Sequence, residues 1–196
     1  MSTVRRVARV LSFLMLGALL LPGSRCNYTP HSGTADYSGP SSGIAPAGPS
    51  TAWVSTSNQP DPFQTSLLGL INAQRNAAGM QSLTWHDGMS AVAHTHAVDM
   101  VQKNYLNLIS PDGYDVFQSL VAANPPIQFD NAFAMVSQVA TGITFANYFN
   151  FLMATPSSAA ALMDPTLTHI GISGVTVPAP PGQDDKVIIL GRNVTP

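Results

Sequence analysis

Residues 67–113, LLGLINAQRNAAGMQSLTWHDGMSAVAHTHAVDMVQKNYLNLISPDG, decide the fold of this chain. Just upstream, Asp61 offers an N-cap side chain and Pro62 a pre-set first helical residue. Apolar residues then recur at helical spacing until Gly79. The pattern therefore predicts a first helix over residues 62–78 that ends at a glycine C-cap.

A second amphipathic pattern follows an extended link of residues 80–85. Asp87 can cap this second helix, and Asn104 can end it because asparagine tolerates the left-handed conformation. Asp99 and Lys103 are four residues apart and are expected to form an exposed ion pair. The predicted buried face contains one histidine among apolar residues: Met89, Val92, Ala93, His96 and Met100.

Six separated motifs stand out along the chain: Ile71-Asn72-x-x-Arg75, Leu83-Thr84-Trp85, His96-x-x-Asp99-Met100, Ser110-Pro111-Asp112-Gly113, Leu162-Met163-Asp164-Pro165 and Thr168-His169-Ile170-Gly171-Ile172. Together they resemble the bacterial branch of the CAP (SCP) superfamily, which includes cysteine-rich secretory proteins, venom allergens and plant pathogenesis-related proteins. They occur in the family's order over most of residues 61–193. The resemblance implies an α+β fold, a three-layer α-β-α sandwich with a central antiparallel sheet.

The second half of the chain alternates short helical and extended patterns. Helices are predicted over residues 116–123 and 156–163, and strands over residues 133–140, His169–Val177 and residues 186–194. The segment Phe145–Ala154 predicts a helix that is apolar nearly all round. We expect its aromatic stripe to face the sheet, which leaves Phe151 nearer the rim of a cleft.

The N-terminus carries an export pattern. Arg5, Arg6 and Arg9 precede an apolar run that is too short to span a membrane, so we predict a signal peptide at residues 1–26, with an uncleaved anchor as the alternative. The remaining chain has four basic residues against ten aspartates, a net charge of −6. That charge attracts no nucleic acid, so no nucleic-acid partner is expected.

Residues 27–60 are rich in Ser, Gly, Pro and Thr, which predicts a flexible tether before one CAP-like domain of residues 61–196. The single cysteine, Cys26, lies where a bacterial lipoprotein carries its acylated residue, although Arg25 replaces the small residue expected before it. Membrane attachment is therefore expected only through an uncleaved signal or a lipidated Cys26. One cysteine allows no intramolecular disulfide.

The resemblance also implies a central cleft in which two histidines and one or two glutamates can hold a divalent metal. Carried over motif by motif, three of these positions fall on Leu108, Ser137 and Ser158, and the chain contains no glutamate. We therefore predict no metal, no cofactor and no catalytic residue at this place. No Gly-x-Ser-x-Gly motif of a serine hydrolase occurs either.

His96 and His169 match family positions and allow two interpretations. Either each makes one buried hydrogen bond, or the two converge in a residual cleft. A cleft bordered by Leu108 and Phe151 would prefer an apolar guest, because burying unpaired polar groups is costly. The candidate ligand-binding residues are therefore His96, His169, Leu108 and Phe151.

Our first functional hypothesis is an exported, non-enzymatic binding module outside a bacterial cell or at its envelope. Its partner would be an apolar, lipid-like molecule or an envelope protein, in line with the lipid and sterol binding of some members of the family it resembles. One alternative is a hydrolase with a relocated site that pairs His96 or His169 with Asp99 or Asp130. A purely structural envelope domain is the other.

Overall fold

The computed structural model describes the backbone of residues 25–32 and the complete residues 60–177 and 182–195. In chain order the elements are β1 (Arg25–Ser32), α1 (Pro62–Ala77), β2 (Thr84–Trp85), α2 (Asp87–Lys103), α3 (Val116–Val121), β3 (Asn131–Ala140), α4 (Phe145–Ala154), α5 (Pro156–Leu162), β4 (His169–Val177) and β5 (Gln183–Arg192). Among these residues no helix is both long and apolar enough to cross a membrane.

The strands form one sheet in the order β1-β3-β5-β4-β2. The four long strands pair antiparallel, as predicted. The two-residue β2 adds a parallel edge, with Thr84 opposite His169 and Trp85 opposite Ile170. The sheet is therefore mixed, and the antiparallel prediction holds for its long strands.

The central strand β5 alternates its side chains between two hydrophobic clusters. Val187 and Ile189 pack with α2 and α3 on one face, and Ile188 and Leu190 pack with α1, α4 and α5 on the other. All four side chains are fully buried, which favours folding by about 1.5–3 kcal/mol each. The predicted α-β-α layering is confirmed by these two clusters. We call them the α2-side core and the α1-side core.

The predicted helix ends are reproduced with one correction. A capping box between Asp61 and Gln64 starts α1, and Asn104 ends α2 in the left-handed conformation with φ 53°. The N-cap of α2 is His86 rather than Asp87, and its Nδ1 accepts a hydrogen bond from the Met89 N–H at 3.2 Å. Asp87 is instead engaged by the Trp85 indole N–H at 2.7 Å.

Two buried contacts fix the helices on the sheet. A Cβ added to Gly171 of β4 would lie 2.5 Å from backbone atoms of Met89 and Ser90, so α2 packs directly on the strand there. Arg75 of α1 is fully buried, and its guanidinium donates only to backbone carbonyl groups. The family motifs around Arg75 and Gly171 therefore serve packing.

The predicted tether has to be corrected at its start. Residues 25–32 form β1, which pairs with β3 along its whole length, so residues 27–32 belong to the sheet and the folded unit begins before residue 61. Cys26 lies in this strand, opposite Ser137. The rest of the signal peptide and residues 33–59 of the tether lie outside the described residues. Cleavage and lipidation at Cys26 stay predictions.

Candidate functional site

The positions that would carry the family's metal ligands are buried and lie on both sides of the sheet. Leu108 is 2% exposed in the α2-side core. Ser137 of β3 is fully buried on the other face, where its hydroxyl lies 2.8 Å from that of Tyr148. Ser158 of α5 is also fully buried. Within residues 60–177 and 182–195, no group of three His, Cys, Asp or Glu side chains could hold a metal ion.

His96 is held inside the molecule by its own loop. It is 7% exposed on α2, and its Nε2 lies 2.8 Å from the Asn107 carbonyl oxygen, to which the ring donates. The Tyr105 ring meets it edge-on at 6.0 Å between centroids. Burial lowers the pKa of His96, although the bond to Asn107 opposes this shift. The contacts match the first interpretation, one buried hydrogen bond.

His169 lies at the start of β4, beside the N-cap of α2. Its ring meets that of His86 edge-on at 5.9 Å, and its Nδ1 lies 2.9 Å from the Thr168 hydroxyl. Burial lowers the pKa of both histidines, and the proximity of His169 lowers that of His86 further. A second proton on this pair is therefore unfavourable, and both rings favour the neutral form.

The four candidate ligand-binding residues do not come together. His169 contacts His86 at the start of α2, and His96 stands ten positions further along that helix, about 15 Å away, so the two family histidines do not meet. Leu108 belongs to the α2-side core, and Phe151 packs on the α1-side core across the sheet. The expectation of one apolar cleft shared by these residues has to be corrected, because the central sheet separates Phe151 from Leu108 and the length of α2 separates the two histidines.

The acids proposed for a relocated hydrolase are engaged elsewhere. Asp99 accepts hydrogen bonds from Tyr105 at 2.6 Å and Ser110 at 2.8 Å and pairs with Lys103 at 2.6 Å. Burial opposes ionisation, but these three donors hold the pKa of Asp99 below its usual value. This cluster ties the end of α2 to the following turn and offers no free base.

A different serine and histidine do meet, but they lack the rest of a catalytic triad. The His94 Nδ1 lies 3.2 Å from the Ser173 hydroxyl, which is 5% exposed. Among the described residues no carboxylate hydrogen-bonds His94, so nothing orients its ring as a triad acid would. Asp130 accepts a hydrogen bond from the Asn193 amide at 2.5 Å and lies near Arg192, and among the described residues no hydrogen bond joins it to His96 or His169.

Helix α4 is less apolar on its outer face than the sequence predicted. Its exposed positions include Asn147 and Asn150, whereas Phe151 is half-buried and stacks on Tyr148 at 6.2 Å. Phe151 therefore supports the core, and the expectation that it borders an open cleft has to be corrected. Phe145, at the start of the helix, is 40% exposed and is the aromatic residue that α4 presents to solvent.

A pocket of about 230 Å³ lies between the start of α1, the segment before α4 and the end of the sheet. Its wall is apolar at Phe63 and Ile143, and its floor carries Asp184 and Lys186. The Lys186 ammonium lies 4.5 Å from the centroid of the Phe63 ring and 3.4 Å from the Asp184 carboxylate. We call this cavity the Lys186 pocket.

A model of the cysteine-rich secretory protein (CAP) family matches residues 68–181, which is more than half of the 196 residues. This chain belongs to that family. The resemblance read from the motifs is therefore confirmed, and no curated protein matches the chain.

The CAP domain is similar to two solved bacterial structures. One is an outer surface protein from Borrelia burgdorferi, with a TM-score of 0.53, 17% identity, and coverage of 67% of this chain and 93% of that one. The other is an extracellular protein containing an SCP domain from Bacillus anthracis, with a TM-score of 0.54, 17% identity, and coverage of 66% and 40%. At 17% identity, the similarity supports a shared fold and nothing more specific.

Sequence reasoning missed the polar residues of the Lys186 pocket. Asp184 and Lys186 stand at the start of β5, just before its apolar run, and a charged residue there predicts only an exposed strand end. Their side chains are 13% and 11% exposed because α1 and α4 of the CAP domain cover them. The available signal for the pocket was that Asp184 and Lys186 stand directly before the apolar run of β5 in the sequence.

Proposed function

We propose that this CAP domain is an exported, non-enzymatic binding module that holds a neutral lipid-like molecule at the Lys186 pocket and the adjoining start of α4. The predicted signal peptide supports export. The names of the two similar structures, one an outer surface protein and one an extracellular protein, support the same location. Burial of Leu108, Ser137 and Ser158 supports a role without metal chemistry.

The observation that carries this proposal is the exposure of Phe145 next to an apolar-walled pocket. Phe145 is 40% exposed and follows two residues after Ile143, which lines the pocket beside Phe63. At about 230 Å³ the cavity is smaller than the ~300–1,000 Å³ of pockets that enclose drug-sized ligands. It fits the head of an amphiphile, whose apolar body would then lie along Phe145 and the half-buried Phe149.

The charges of the pocket favour a neutral head group. Asp61 and Asp184 line it together with the single cation Lys186, which is already paired with Asp184. A carboxylate or phosphate head would add to an excess of negative charge. A hydroxyl head can exchange hydrogen bonds with these side chains without that repulsion. We therefore favour a sterol or monoacylglycerol over a fatty acid.

Changing Phe145 to Asp tests the proposal. A charge at this exposed position should weaken binding of a fluorescent sterol by about tenfold or more, because the apolar body of the ligand loses its contact surface. Titration of wild type and variant with the sterol, and with oleate as the anionic comparison, measures both affinities. The melting temperature should change little, since Phe145 is outside the core.

The matched control is Ile109→Asp, because Ile109 is 55% exposed in the loop after α2, away from α4. It places the same charge on an equally apolar surface position and should leave sterol binding unchanged. Equal affinity of Phe145→Asp and wild type would overturn the proposed site. Undetectable binding of any neutral amphiphile to wild type would favour the purely structural alternative.

A further inference from the structure

A buried carboxylate on the opposite face of β5 accepts a single hydrogen bond from the side chains that the structure describes. Asp185 is 2% exposed, and its Oδ1 accepts a hydrogen bond from the Gln138 amide at 3.0 Å. No side chain or backbone donor among the described residues hydrogen-bonds its Oδ2. Burial raises the pKa of Asp185, and the bond from Gln138 only partly opposes this. Such a group is costly unless something binds it.

Asp185 lines a pocket of about 190 Å³, between β3, β5 and the end of α2. Met100, Tyr105 and Leu106 form much of its wall, and Gln138 lies beside Asp185. The last carbonyl groups of a helix carry a partial negative charge of about −0.5 elementary charge. The helix end and the carboxylate therefore act in the same sense, and both favour a cation.

We propose that this pocket binds an organic cation, an alkylammonium or guanidinium group on a short aliphatic stem, through a charged hydrogen bond to Asp185. The stem would lie against Tyr105 and Leu106, which are half-buried in the pocket wall. Hard metal ions take six or more oxygen ligands, whereas this pocket holds one carboxylate and a few amide and carbonyl oxygens.

The two lysines of the described residues are committed elsewhere. The Lys103 ammonium binds Asp99 and Asp112 on the outer side of α2. Lys186 follows Asp185 along β5 and so projects to the other face of the sheet. The pocket is also separate from the Lys186 pocket, so this proposal and the proposed lipid site stand or fall independently.

Titration with n-butylammonium, followed through the backbone amide resonances of Gln138 and Asp185, tests the site. We expect saturable shifts with n-butylammonium and none with n-butanol, which has the same stem without the charge. Asp185→Asn should weaken binding about tenfold or more, because the charged hydrogen bond is lost while the side-chain shape is kept. N-acetyl-lysine methylamide serves as a second ligand. If it binds more tightly than n-butylammonium, the natural ligand is a side chain of another protein; if it binds more weakly, the natural ligand is a small amine.

Asp184→Asn is the matched control, since it removes the same charge one residue away on the other face. Its affinity for n-butylammonium should equal that of wild type, and melting curves of both variants verify folding. Equal binding by wild type and Asp185→Asn would overturn the proposal. The proposal would also be overturned if Arg25→Gln bound n-butylammonium and wild type did not. Arg25 stands opposite Gln138 in the sheet, so the chain would then supply its own cation.

Discussion

At the scale of single residues, Arg75 is a charge that the fold buries completely. Its guanidinium donates to the carbonyl oxygens of Gln81 at 2.9 Å, Leu162 at 2.7 Å, Asp164 at 2.9 Å and Leu167 at 3.0 Å. No carboxylate group is among these acceptors. The planar guanidinium matches four carbonyl groups at once, which the point charge of a lysine cannot do.

We therefore expect Arg75→Lys to lower the free energy of unfolding by about 2–3 kcal/mol, since carbonyl groups in the interior lose their donors. Urea unfolding of the purified domain measures the change. Arg192→Lys is the control, because Arg192 is 43% exposed and lies 3.8 Å from Asp130, a contact of about 0–1 kcal/mol. Equal unfolding midpoints for the two variants would show that the guanidinium geometry is unimportant.

At the scale of elements, the contact between α2 and β4 leaves no room for a side chain. The added methyl group of Gly171→Ala would press on the helix backbone, which cannot move like a side chain. We expect a loss of about 1–3 kcal/mol in the free energy of unfolding. Thermal melting with circular dichroism measures it.

Gly69→Ala provides the comparison in α1. Gly69 is exposed, no atom lies within 4 Å of the place that a Cβ would take there, and a helix interior prefers alanine by about 0.5–1 kcal/mol. This variant should therefore melt higher than wild type. If Gly171→Ala also melts higher, α2 is free to shift and the close packing has no energetic role.

The elements that were predicted well carry their own local signals. Asp61 with Pro62 and Thr144 mark the starts of α1 and α4, and β4 was predicted with its observed bounds because its branched residues stand between turns. His86 was missed as the N-cap of α2 because histidine is an unusual N-cap. The start of the sheet was missed at β1, since the segment looks like a tether and strand pairing is a long-range contact.

At the scale of the whole molecule, the candidate site could not be predicted because sequence motifs do not say which face of a sheet a residue joins. Leu108 and Phe151 were expected in one cleft, and they belong to different cores. Asp185 was missed for the same reason, since its pocket depends on the register that sets Gln138 beside it. The family and the layers were predictable, whereas the cavities were not.

The histidines give the molecule a common response to acid. Burial lowers the pKa of His86, His96 and His169, so below about pH 6.5 the unfolded chain binds protons that the folded chain resists. Stability should be constant above pH 7 and fall as the pH drops below 6.5. Each proton contributes a slope of at most about 1.4 kcal/mol per pH unit. The raised pKa of Asp185 has the opposite effect in more acidic solution. Above pH 3.8 its contribution to stability increases as the pH falls, because the folded chain takes up this proton before the unfolded chain does.

Urea midpoints between pH 8 and pH 5 measure this dependence. His86→Asn is the informative variant, because asparagine is a preferred N-cap and does not titrate. It should be about as stable as wild type at pH 7.5 and lose less stability at pH 5.5. An unchanged pH profile in this variant would mean that His86 keeps its ordinary pKa in the folded chain.

The contacts of Arg75 also have a consequence for the order in which the chain assembles. Three of its four acceptors lie 87 to 92 residues further along the chain, at the end of α5 and just before β4. Closing so long a loop has a large entropic cost, yet the guanidinium cannot leave water before those carbonyl groups arrive. The packing of α1 is therefore complete only after the last third of the chain has folded onto it. A chain that ends before Leu162 leaves this helix without its internal anchor, however strong its own helical signals are.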